Sequence, residues 1–354
     1  MRQERTGYVD IAKGVAILCI IIGHLDSFTI RRVVFTFHVP IFYLITGFYI
    51  SAKRTRAAFF RRKLRTLIVP YAVTCCVSVA GAAAINALRT GGAGTGRVAL
   101  DWLCAALYGA GNSYTEPFSV KGIGAIWFLW ATFWGACALR VLLDMKDRYR
   151  PLAVLGILLA CCWSKKLCWL PLSIQACGPA LLYMYIGWLF RQAREPLRRV
   201  SAECRTALVL GALVVWVSFM VDFQSFSLAH CDLGRGAVDI FGSLCGCAVV
   251  LLAARAVEVH CPVPAKCLAY LGRYSLLTLC AHIVELDIFP WDILKGAVAS
   301  LGAPYVVYQI ALVLGKLGWS VAVTILLSRW EPARRLFGYG PRRSADLSKS
   351  VVTE

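Results

Sequence analysis

Apolar residues in this chain run in long blocks, each close to the length of a membrane span, with short basic clusters between them. The blocks fall at roughly 8–28, 33–50, 67–88, 123–143, 151–164, 172–190, 206–223, 236–256, 268–288 and 305–328. A helix needs about 20 apolar residues to cross the ~30 Å hydrocarbon core. The pattern therefore predicts an all-α fold, a polytopic transmembrane helix bundle of about ten spans. The fifth block is short; it is either completed by 167–170 or set partly inside the bundle. Residues 1–340 read as one integral membrane domain, and 341–354 as a polar cytosolic tail.

Composition agrees. The 354 residues are 59% hydrophobic and 16% charged, with a mean hydropathy of +0.67, which excludes an ordinary soluble domain. The formal charge of +19 would suit a nucleic-acid binder, but the basic residues sit between the apolar blocks. With a cytosolic N-terminus, inner segments hold roughly 27 Lys and Arg and outer loops about 9, the positive-inside asymmetry. Both termini are then cytosolic, in a multi-pass protein of the cell membrane. Most of the 16 cysteines lie in apolar blocks and no CxxC pair occurs, so neither a disulfide framework nor a metal site is expected.

Ionisable residues inside spans are read as functional first. The first block, YVDIAKGVAILCIIIGHLDSF, holds Asp10, Lys13 and His24. Lys13 and His24 are eleven residues apart, three helical turns, and so share a face with a rise of about 16 Å. Lys13 is then a cation near the inner surface, or a partner for Asp10 at i,i+3. His24 is an imidazole near the outer surface, suited to proton transfer because its ordinary pKa is near 6.5. His38 and His282 fall at similar outer depth, about 7 and 9 Å below the ends of their spans. The three histidines suggest one polar chamber. His38 precedes Pro40, and satisfying backbone groups freed by the proline is an equal reading. Asp26 and Glu285 are read first as headgroup-level residues and second as chamber residues. Arg62, Lys63 and Arg65, in FFRRKLRTLIVPY, are topology determinants and also a candidate anion site at the inner mouth. The long outer connection, Arg89 to Gly122, is rich in glycine and is a candidate binding loop.

These residues resemble the membrane-bound acyltransferase family three, in particular its branch similar to fucose 4-O-acetylases. The likeness rests on DIAKGVAILCIIIGH (Asp10–His24), FTFHVPIFYLITGFYIS (Phe35–Ser51), the basic run ending in Pro70 and Tyr71, IWFL (Ile126–Leu129) and LGRYSLLTLCAH (Leu271–His282). The family implies a ten-helix bundle that moves an acyl group, usually acetyl, from acyl-CoA to a hydroxyl on a sugar or surface glycan. Its basic-residue–ten–histidine motif carries onto Lys13 and His24, with lysine in place of the usual arginine. Its arginine pair carries onto Arg62 and Arg65, with a shifted spacing to Pro70. Thr46 stands where a serine is usual, and Trp127 lies in the IWFL stretch; both are candidates for the substrate chamber.

The expectation is thus an acyl-CoA-dependent O-acyltransferase with no bound cofactor. Its partners are acyl-CoA, a saccharide or glycan acceptor and membrane lipid, with no nucleic acid. The catalytic candidates are His24 and Lys13; Arg62, Arg65 and Lys63 would bind the donor. The alternative is a flippase or exporter of a lipid-linked saccharide; inverted repeats would favour it, and none is visible.

Overall fold

The computed structural model describes residues 7–25, 27–115 and 118–340; the predicted tail 341–354 lies outside the described residues. The described residues form helices and irregular connections, with no strand. In order, α1 (Gly7–Gly23) is followed by α2 (Phe28–Val34) and α3 (His38–Tyr49). Then come α4 (Arg56–Lys63), α5 (Val69–Thr90), α6 (Thr95–Tyr108), α7 (Trp127–Leu142), α8 (Arg150–Ser164), α9 (Cys177–Gln192) and α10 (Arg194–Arg198). The remainder is α11 (Ala202–Val221), α12 (Ala237–His260), α13 (Pro262–Arg273), α14 (Ser275–Ile288), α15 (Trp291–Ser300), α16 (Tyr305–Arg329) and α17 (Glu331–Leu336).

Among the described residues, seven helical segments are long and apolar enough to cross a membrane, and α13 with α14, bent by 74° at Tyr274, makes an eighth if the bent pair is one span. All ten predicted blocks contain helix. However, α1 has 17 residues and α8 has 15, both short of that length. Three local features depart from the expected spans, and prolines account for two. Pro40 lies in the first turn of α3, where a missing N–H costs no intrahelical bond, so the 33–50 block breaks into α2 and α3 ahead of it. Pro70 follows a π-helical segment, Leu64–Ile68, whose widened turn accommodates a ring that would strike the carbonyl four residues back. The connection 89–122 is not all loop, because α6 forms within it and packs on α5.

Two close helix contacts hold the bundle centre. A side chain at Gly14 would put its Cβ 2.1 Å from the Leu268 carbonyl oxygen, so α1 and α13 touch backbone to backbone. Gly47 and Gly187 do the same for α3 and α9: a Cβ on either would stand 1.8 Å from Met184 O or 2.1 Å from Leu44 O. Small residues at crossings are the usual means of helix association in lipid, where water-driven burial is absent. By contrast α11 and α16 present Val214, Val221, Ile310 and Leu314 outward, as lipid-facing helices do.

Polar contacts define two ends. At the basic end, Arg140 is buried and donates to the carbonyls of Ala52 and Arg54 and to Asp144. Arg56 also grips Asp144, at 2.7 Å, and the two guanidiniums hold that carboxyl below its ordinary pKa. At the opposite end, Tyr108 donates to Trp169 O, Ser173 to Gly109 O and Lys165 to Cys231 O.

Candidate active site

Lys13 lies in the middle of α1, and His24 directly follows its last residue. A cavity of about 430 Å³ opens at the basic end and is lined by Lys13, Thr46, Arg54, Arg62, Lys63 and Thr66. On α1 the lining runs Lys13, Ile17, Ile20, one face of the helix, and His24 is next on that face. The Lys13 ammonium is 3.8 Å from Asp10, which is buried, so the i,i+3 pair forms while Lys13 still faces the cavity. The widened turn before Pro70 brings Lys63, Thr66 and Leu67 to the same wall. Arg65 is exposed and is not among the lining residues. Trp127 is also outside the lining; it is buried at the start of α7, under Gly111.

α1 ends at Gly23, so His24 occupies the turn after the helix rather than lying four residues below its end. Its Nδ1–H donates to Ile20 O at 2.7 Å and faces Nε2 of His282 at 3.4 Å, with ring centroids 5.1 Å apart. His24 is exposed, whereas His282 is fully buried. His282 Nδ1–H donates to Glu285 Oε2 at 2.9 Å, which fixes the tautomer and leaves Nε2 as an acceptor toward His24. Both Nδ1 hydrogens are therefore committed. The free lone pair of the pair is at His24 Nε2.

Glu285 is fully buried inside the bundle, where Lys316 donates to it at 2.7 Å and the Trp291 indole N–H donates to the same oxygen. These partners offset the cost of burying the carboxylate. Lys316 heads a buried polar stripe on α16, continued by Ser320, Thr324 and Ser328, that faces α14, where Thr324 donates to Thr278 at 3.0 Å. Lys316 and Trp291 were not among the residues expected from the sequence. The signal available was a lysine inside the 305–328 block, which demands a partner at the same depth.

His38 is the first residue of α3. Its Nδ1–H donates to Val34 O at 2.5 Å across the α2–α3 break, and its ring packs on Phe35. It lies within electrostatic reach of His24. Asp26 lies outside the described residues.

A helical bundle with apolar outer faces, a cationic cavity at one end and a Glu–His–His series at the other, Glu285 and His282 buried and His24 exposed, fits a multi-pass membrane protein. The chain belongs to the acyltransferase 3 family: the family model, described as an acyltransferase domain, matches residues 6–329. It is therefore a membrane acyltransferase by family. A comparison with curated proteins found no match, and neither did one with solved structures.

Proposed function

We propose that this protein transfers an acyl group, acetyl by its motif likeness to the fucose 4-O-acetylase-like branch, from acyl-CoA to a hydroxyl of a sugar or cell-surface glycan. The observation that carries the reading is the layout of α1. Lys13 faces a cavity shared with Arg62 and Lys63, and one face of the same helix leads to an exposed imidazole with a free Nε2. Phosphates and a nucleotide suit the cationic mouth, and the positive-inside asymmetry puts that mouth in the cytosol. The rise of about 16 Å from Lys13 to His24 matches the reach of a pantetheine arm.

The cavity lining stops at Ile20 and Leu279, one turn short of His24 and His282. Those side chains part for the arm to pass. His24 Nε2 takes the acceptor's hydroxyl proton as the oxygen attacks the thioester carbonyl; the C–S bond breaks, and the imidazolium returns the proton to the leaving thiolate. His282 is a positioning residue. Its Nε2 accepts from His24 Nδ1–H, and Glu285 steadies the positive charge that His24 acquires.

Purified protein in a bilayer, given labelled acetyl-CoA and a saccharide acceptor, tests the reading. Transfer of label to the saccharide is expected; substrate movement without acyl-CoA consumption would replace it with the transporter reading.

A further inference from the structure

A second cleft, of about 840 Å³, lies between α11 on one side and α1, α3, α9 and α12 on the other. Leu44, Phe48, Phe190, Leu208, Leu244 and Leu251 are among its walls. It exists because α11 packs on α12 and α2, and only Phe219 of its residues is buried. On α11 the cleft runs from Ala202 to Ala212, ten residues or about 15 Å. That is half the ~30 Å hydrocarbon core, the depth of one leaflet. An apolar cleft at that depth stays dry and takes hydrocarbon.

Its end is not apolar. Arg205 lines the cleft at the basic end of α11 and has no ion-pair partner among the described residues. The connection leading to it exposes Arg194 and Arg199. A one-leaflet apolar slot ending at a guanidinium has the shape and charge of a single amphiphile. From this juxtaposition we infer that the cleft binds an anionic phospholipid, its acyl chains between α11 and α3 and its phosphate on Arg205. Zwitterionic lipid lacks the net charge that the arginines select. Ile45 and Tyr49 line this cleft and also the cavity that holds Lys13, so the lipid backs one wall of the candidate active site. The assignment is independent of which acyl donor or acceptor the protein uses.

The test uses the full chain in nanodiscs of phosphatidylcholine and phosphatidylglycerol in equal parts. A trace of either lipid carries a photoreactive diazirine in its acyl chain. Label from phosphatidylglycerol is expected to concentrate on peptides covering 202–212 and 244–252, at about fivefold the yield from phosphatidylcholine. Arg205→Gln, at an exposed position, removes that preference while keeping the label; Ala248→Trp, which fills the cleft, removes the label itself. Equal labelling of 202–212 and the outward face of α16, equal yields from the two lipids, or a preference that survives Arg205→Gln overturns the inference and leaves ordinary boundary lipid.

Discussion

Glu285→Gln is the most informative single change. The carboxylate is fully buried, and Lys316, its partner at 2.7 Å, is only 5% exposed. The glutamine keeps the volume, but its one carbonyl oxygen accepts either from His282 or from Trp291, not both, and it strands the ammonium without a counter-charge. Breaking a buried pair in this way costs about 3–5 kcal/mol, whereas replacing both members with neutral groups is close to neutral. Glu285→Gln is therefore expected to lower the unfolding free energy by about 3–5 kcal/mol. Glu285→Gln with Lys316→Met should regain most of that loss. Activity should not follow stability, because in both variants His282 has lost the anion that steadies charge on the histidine pair. Unfolding in detergent micelles and transfer from labelled acetyl-CoA, measured on the same preparations, separate the two effects. A loss of under about 1 kcal/mol in the single variant would mean that the pair behaves like a solvent-exposed one. A double variant that regains turnover along with stability would refute the role given to Glu285.

Further outcomes follow from other parts of the structure. Lys13→Ala should raise KM for acyl-CoA more than KM for the acceptor, and Lys13→Arg should restore donor use; equal effects on both substrates would detach Lys13 from the donor. Gly187→Ala forces a Cβ to 2.1 Å from Leu44 O, so α3 and α9 must separate. A destabilisation of about 1–3 kcal/mol in micelle unfolding is expected, and none would mean that the crossing is loose. The Asp144 carboxyl, its pKa depressed by Arg56 and Arg140, should hold the 52–56 connection fully at pH above the ordinary carboxylate value of about 3.9. Hydrogen exchange of that connection should rise only as pH falls through the still lower folded pKa. A rise near neutral pH would show that another group controls it.

Much of the architecture was legible because hydrophobic blocks of span length have few fates in lipid. Each predicted block holds helix, and Lys13, Ile17 and Ile20 share one face of α1, with His24 in the turn just beyond it. The errors lie where tertiary packing decides. Nothing local ends α1 at Gly23 or bends the chain at Tyr274, and α6 arises in a glycine-rich connection because α5 offers it a surface. A single sequence does not show that Lys316 and Trp291 arrive beside Glu285 and bury it. The link between His24 and His282, 258 residues apart, was accessible only as an agreement in depth. The breaks before Pro40 and Pro70, by contrast, are local consequences of the proline ring.

The account rests on His24 Nε2 taking the acceptor's proton. The direct measurement is acyl transfer from labelled acetyl-CoA by His24→Ala protein, inserted and folded as well as the parent by detergent-resistant size exclusion. Loss of a general base predicts a fall in turnover of about 10²–10⁴-fold; turnover at the parent's rate would contradict it.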